Sequence, residues 1–451
     1  MKIRLQNLGP IPDASIDLTK RLTLFCGPNN TGKTYVSYIV YALTSILLRN
    51  NGIVQDEQIA ELQNEGKICV QIDVDTLLSL RVSVIDRVKQ TLGEIYGLPD
   101  EKVFSFFDNV VVSFDELDED FLSKIKKSAF ELLCYETSSL KIIAEKIADE
   151  YKIVVTYEGS VVVDHEYFRD VLKNRVMPVI YHCMAIYPLF SATILPVERI
   201  ATQVFSRELM AARLSPQDDS SVSTVVPAKV ARYPLAVWHQ LLHDNSLSSQ
   251  QNTLSQFADL ADELEDTMLH GRFSVDSNGD AVFNTEGTET KALPIKMTAS
   301  MVKSLSALTF YLRYNATVNN LLIIDEPELN LHPDSQIQLA RIFGKMLSRG
   351  IRLMISTHSD YIIRELNNMI MLSSLSETAL VNAEHEFGYD GDLVIHREDV
   401  VAYLFKRDEA SGKTVVSEIP ITREGFEVTT IDDTLRKLNQ SAQQIYYMLD
   451  E

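Results

Sequence analysis

Positive charge is scarce in this chain. Against 63 Asp and Glu stand 42 Lys and Arg, a formal charge of −21. Such a surface repels phosphate backbones unless a local basic patch overrides it. The one basic run, Lys124-Ile125-Lys126-Lys127, reads as a solvated helix face. Cysteine is also sparse. The 4 cysteines, Cys26, Cys69, Cys134 and Cys183, share no paired spacing, which argues against a disulfide framework or a zinc site. They read as reduced, buried side chains of a cytoplasmic protein. No stretch approaches ~18 apolar residues, and the N-terminus enters a strand directly, so neither a membrane span nor a signal peptide is expected. The 9 histidines form no H-x-H or H-E-x-x-H grouping, and no nuclease signature is found. Asp73-Val74-Asp75 lacks a third acidic ligand and reads as a solvated strand end.

What is present starts at Gly27-Pro28-Asn29-Asn30-Thr31-Gly32-Lys33-Thr34. The apolar run Leu22–Cys26 precedes it and a long apolar segment, Tyr35 to Leu48, follows. Strand, G-x-x-x-x-G-K-T and helix together make a phosphate-binding loop. Its glycines let successive N–H groups curl inward at a helix N-terminus whose dipole favours anions. Asn29, Asn30, Thr31 and Gly32 line the turn. Lys33, expected to stand in solvent without ligand, reaches the terminal phosphates, and the Thr34 hydroxyl holds Mg²⁺.

A second stretch, Leu321-Leu322-Ile323-Ile324-Asp325-Glu326-Pro327-Glu328, has four apolar residues suited to a buried parallel strand, then acids. Asp325 is placed to hold Mg²⁺ and Glu326 to orient and deprotonate an attacking water. With this pair, the chain resembles the ABC-type ATPases of the SMC, RecF and OLD-like group, most closely over Ile3–Leu48 and Leu293–Asn368.

The resemblance implies further site residues. Leu293 to Tyr311 is similar to the signature region that presents serine and glycines to a nucleotide held by the opposite subunit. Here Ala299, Ser300 and Met301 fill those places, so Ser300 survives as a donor while Met301 puts a side chain where close approach normally needs none. Asn330-Leu331-His332-Pro333 follows as the dimer-contact loop. His358, in Thr357-His358-Ser359, resembles the switch histidine. Arg199, ending Ile194-Leu195-Pro196-Val197-Glu198-Arg199, is expected either near nucleotide or a partner subunit, or in an ordinary salt bridge.

The fold expected from this resemblance is α/β: an ABC-type P-loop ATPase core with a mixed sheet, an antiparallel β subdomain and a largely helical insertion. Residues 1–51 carry the first part of the core, 52–190 the insertion and 191–451 the remainder. Strands are expected near 2–6, 14–18 and 68–72, with a helix break at Gly97-Leu98-Pro99. Asp115 to Lys152 is read as amphipathic helix from Leu117, Phe121, Ile125, Phe130 and Leu133. That insertion serves either protein contacts or no separate role. Residues 215–229 read as a loop, Phe273 to Phe283 as a hairpin about Asn278-Gly279, and Ile431 to Leu449 as an amphipathic helix.

ATP and Mg²⁺ are therefore the expected cofactors, in a homo-oligomer (dimer or higher) with slow hydrolysis. Stand-alone acidic members resemble the ATPase components of anti-phage defence systems of the PARIS or Septu type. That likeness implies a sensor and scaffold for a separately encoded effector, a nuclease, with a phage protein as trigger. The alternative is a RecF- or SMC-like DNA-repair or DNA-clamping ATPase, and direct DNA binding is left open. A transporter subunit is disfavoured by the 292 positions (325 − 33) separating Lys33 from Asp325.

Overall fold

The computed structural model describes residues 1–47, 56–99, 106–137, 140–159, 164–214, 233–250, 254–277, 279–285 and 292–448. The chain opens with an antiparallel pair, β1 (Lys2–Leu8) and β2 (Ile11–Asp17), then β3 (Leu22–Cys26) and the helix Lys33–Ser45. Segment 52–190 contributes β4 (Lys67–Gln71), β5 (Val111–Phe114), β6 (Phe130–Glu136), β7 (Leu140–Lys146) and β8 (Lys152–Gly159). There follow β9 (Ala192–Leu195), the hairpin β10 (Gly271–Val275) and β11 (Ala281–Thr285), the short β12 (Leu293–Pro294), β13 (Leu321–Asp325), β14 (Arg352–Thr357), β15 (Val400–Arg407) and β16 (Thr414–Ile419).

The central sheet runs β16-β15-β3-β14-β13-β9, parallel throughout except for β16. Alternate residues of its inner strands enter different cores. Phe25, Ile323 and Met354 pack in one, with the helix Lys33–Ser45; Leu24, Ile324 and Ile355 pack in the other. Burial on both faces explains why β3, β13 and β14 read as unbroken apolar runs. In register, Asp325 stands beside Ser356, Ser356 beside Phe25 and Thr357 beside Cys26, so three strands end on one rim. Ligands of open parallel sheets gather at such carboxyl ends.

Within the segment 52–190, the stretch Asp115–Lys152 departs from its expected helical character. A helix does cover Asp118–Lys127, with Phe121 and Ile125 buried, but Phe130, Leu133 and the residues beyond are strands. β4-β8-β7-β6 form a four-stranded antiparallel sheet, and β5 joins β1, so the segment is mixed and knitted into the N-terminal sheet. The apolar spacing is responsible: 117, 121 and 125 fit a helix, whereas Leu140, Ile142 and Ala144 are buried at the two-residue period of a strand.

Smaller expectations resolve similarly. Asp73 is the N-cap of the helix Val74–Gln90, its carboxylate accepting from Thr76 N at 2.7 Å, rather than a strand end. All four cysteines are free, but Cys69 is exposed and Cys134 half-buried, contrary to the expected burial. The β10–β11 hairpin pairs Phe273 with Phe283. Asn278 and residues 215–229 lie outside the described residues, as does Leu449 beyond the helix Thr429–Met448. No described helix is long and apolar enough to cross a membrane.

One buried titratable group lies within the core that packs the phosphate-loop helix. His182 is 0% exposed, and neither ring nitrogen makes a well-formed hydrogen bond. Burial holds its imidazole at about 4, against a lesser opposing pull from the Leu43 backbone. The unfolded side chain takes up a proton near pH ~6.5 whereas the folded one does not, so stability should fall as pH drops from ~6.5 towards ~4. His182→Leu should lose about 3 kcal/mol less over that interval than the parent. Urea unfolding of both proteins at stepped pH checks this, and parallel curves would refute it.

Candidate nucleotide-binding site

The loop between β3 and its helix is held by close backbone approach. Gly27 has φ +131°, and a Cβ there would lie 2.1 Å from the Phe405 carbonyl oxygen on β15. Gly32, with φ +94°, turns the chain into the helix Lys33–Ser45. Thr31 is buried and donates to the Pro28 carbonyl at 2.8 Å, while Asn29 and Asn30 are exposed on the outer turn.

Lys33 is not in solvent as expected. It is 6% exposed, and Nζ donates to the Gly27 and Pro28 carbonyls, each at 2.9 Å. The loop carbonyls offer the ammonium hydrogen bonds that open water would otherwise supply. Burial lowers its pKa, opposed by Asp325, Glu326, Cys26 and Glu328.

Across the rim, Asp325 is 2% exposed. One carboxylate oxygen accepts from Thr34 Oγ1 at 2.7 Å and the other from the Ser356 hydroxyl. Two hydroxyls on one carboxylate offset its burial and tie β13, β14 and the loop helix together. Glu326 follows with φ +48°, a left-handed backbone uncommon outside glycine. Its N–H donates to the Ser356 carbonyl at 3.0 Å. Burial and Asp325 raise its pKa, opposed by Lys33 and Arg199.

His358 brings Nε2 to 3.7 Å from Glu326 Oε1, and that buried nitrogen has no hydrogen-bond partner. Burial, with Lys33 adding, holds the imidazole at about 4, so it is neutral at pH ~7. Glu328 steadies this strand end, accepting from Thr357 Oγ1 at 3.0 Å and from His358 N at 2.6 Å. An open cleft of about 660 Å³ is lined by Asn29, Asn30, Lys33, Thr34, Asp325 and Glu326, among others.

Arg199 does not line that cleft but stands directly behind it, bonded to backbone carbonyls rather than to a carboxylate. It is 2% exposed and donates to the Asp325 and Glu326 carbonyls, each at 2.7 Å, with further bonds to Pro196 O and Ser304. Ser304 in turn donates to Leu329 O at 2.8 Å. Arg199 thus holds the backbone that presents Glu326. Ser300 begins the helix Ser300–Phe310, exposed and outside the cleft. The structure therefore gathers Lys33, Thr34, Asp325, Glu326 and His358 and leaves Ser300 apart.

Sequence reasoning missed Ser356, Glu328 and Ser304. Ser356 sits two residues before His358, but its pairing with Asp325 depends on strand order, which no local pattern reveals.

A family model described as AAA ATPase domain matches residues 1–176 and 206–363, the span containing both the phosphate loop and Asp325–His358. The chain belongs to the AAA ATPase domain family. Among solved structures it is similar to the SMC head domain from Thermotoga maritima, at 10% identity and TM-score 0.31, covering 93% of this chain and 98% of that one. A second is the SmcHead bound to the C-winged helix domain of ScpA, at 10% identity and TM-score 0.35, covering 94% and 98%. No curated protein matches the chain.

The Gly27 contact gives a direct test of the ATPase loop. Gly27→Ala should destabilise the protein by about 3 kcal/mol, because it adds overlap with β15 to an unfavourable φ. Thermal melting measures it, and a variant as stable as the parent would disprove the clash.

Proposed function

We propose that this ATPase binds Mg²⁺-ATP in the rim cleft and hydrolyses it slowly. The observation carrying this reading is the 2.7 Å hydrogen bond between Thr34 and Asp325, with Glu326 and His358 on the same rim. The residues suit the group: two oxygen ligands already converge, and the loop backbone bends where a Cβ would collide.

Lys33 would exchange its two loop carbonyls for the terminal phosphates. Thr34 and Asp325 would hold Mg²⁺, which would neutralise phosphate charge when bound. Glu326, its proton affinity raised by burial, orients water and accepts its proton. Neutral His358, in the tautomer that carries Nε2–H, would donate that unpartnered group to the γ-phosphate. Arg199 fixes the strained Glu326 backbone and is a positioning residue.

Ser300 acts on nucleotide held by a second copy, which requires a dimer or higher oligomer. Met301 beside it supports slow turnover and a protein that dwells in one nucleotide state. Residues 1–51 and 191–451 form the ATPase core, with 52–190 as a partner-contacting segment. Output passes to another protein: the charge of −21 disfavours bare nucleic acid, and Leu438, Ile445 and Tyr446 on the helix Thr429–Met448 are each over 60% exposed. We assign this output to an anti-phage defence system in which the ATPase is sensor and scaffold for a separately encoded nuclease.

Lys33→Ala should abolish ATP binding in calorimetric titration. It should also cost the nucleotide-free protein about 1–2 kcal/mol, because two loop carbonyls lose their donor. Wild-type affinity in the folded variant would remove the phosphate loop from this reading.

Glu326→Gln should retain ATP while hydrolysis falls by about 10²–10⁴. Arg199→Lys, which cannot span both carbonyls, should lower kcat by roughly 10²-fold with little change in KM. Unchanged phosphate release in either variant rules out the assigned role. For the output, co-purification with the neighbouring gene product should give a complex of defined mass. Tight DNA binding at physiological salt with a steep salt slope would instead make this a DNA-clamping ATPase.

A further inference from the structure

The rim cleft is lined by two kinds of side chain. Asp325 and Glu326 supply carboxylates, whereas Pro10 of the β1–β2 turn and Tyr35 supply rings. Thr34 Oγ1 meets Asp325 at 2.7 Å, and Tyr35 follows about 100° further round the helix Lys33–Ser45. The Tyr35 ring lies against the β1–β2 turn, where a Cβ on Gly9 would come within 2.6 Å of Cε2. It also meets two rings of the segment 52–190 edge-to-face, Tyr96 at 5.3 Å and Phe107 at 6.4 Å between centroids. Those two stack on each other at 4.7 Å, and the Tyr96 hydroxyl donates to the Tyr35 carbonyl at 2.9 Å.

Held by all three neighbours, Tyr35 still leaves 39% of its surface exposed. An aromatic surface kept open to water in a polar cleft gains free energy when a planar ligand covers it. The phosphate loop sets how such a ligand would arrive. A triphosphate gripped by Lys33 and Thr34, with its terminal end at Asp325 and Glu326, would send its sugar and base away from the acids, towards Pro10 and Tyr35.

We infer that the Tyr35 ring is the platform on which the nucleobase stacks, with Pro10 beside it. This role of Tyr35 rests on the ATPase reading above and adds a grip on the base to the grip on phosphate. A ring fixed beforehand loses little freedom when the ligand lands. Tyr96 and Phe107 do the fixing, so the segment 52–190 backs the nucleotide cleft from a part of the chain that carries no nucleotide motif.

The test is calorimetric titration of the full-length protein with ATP and with inorganic tripolyphosphate, each with Mg²⁺. The parent should bind ATP at least tenfold more tightly than tripolyphosphate. Stacking of a base on an aromatic side chain contributes about 5- to 150-fold in affinity. Tyr35→Leu keeps apolar bulk beside Gly9 but has no aromatic face. It should weaken ATP about tenfold and leave tripolyphosphate within about twofold of the parent, and Tyr35→Phe should restore tight ATP binding. Equal affinity of the parent for the two ligands overturns the assignment, as does parental ATP affinity in Tyr35→Leu. If Tyr35→Leu loses both ligands alike, Tyr35 merely shapes the phosphate loop and the assignment again falls. A parent that binds neither ligand overturns the ATPase reading itself, and the base platform with it.

Discussion

A carboxylate can stay buried at the end of a strand only if neighbours replace the water it gave up, and Asp325 is where this fold meets that demand. Its two oxygens take hydroxyl donors from different parts of the chain, Thr34 on the loop helix and Ser356 on the adjacent strand. Removing either donor would strand an acceptor in the interior. The pairing therefore fixes the height of β13 against β14 and sets the phosphate loop against both. Placement of Glu326 and His358 follows, because each continues a strand whose end is already fixed.

Beneath this rim lies a second layer of support. The left-handed backbone of Glu326 costs about 1–3 kcal/mol in isolation and persists only where its surroundings over-determine it. Arg199 supplies that constraint from below, and Ser304 links it to the loop after β13. Glu328 plays the corresponding part for His358 by accepting from its backbone. The groups facing the cleft are thus held by others that never touch it.

The phosphate loop, the acidic strand end and His358 were legible because each is a local pattern whose spacing is dictated by backbone geometry. The hairpin at Phe273–Phe283 was legible for the same reason. Phe130–Gly159 was not: a helical spacing over 117–125 was extended past the point where the apolar period falls to two. Lys33 was misread because its burial depends on loop carbonyls only the folded turn brings together. Arg199 was visible as a charge at a strand end, but its partners are carbonyls more than a hundred residues away.

The position of β3 in the central sheet bears on how the chain is made. Its two neighbours are β14 and β15, residues 352–357 and 400–407. The phosphate loop that β3 carries leaves the ribosome before the strands that flank it, which follow more than 300 residues later. Until then an apolar strand with two unsatisfied edges must wait without its partners, the arrangement that slows folding and invites wrong pairing. Nucleotide cannot meet a finished loop until β14 and β15 have joined β3, so the ability to bind it is acquired all at once.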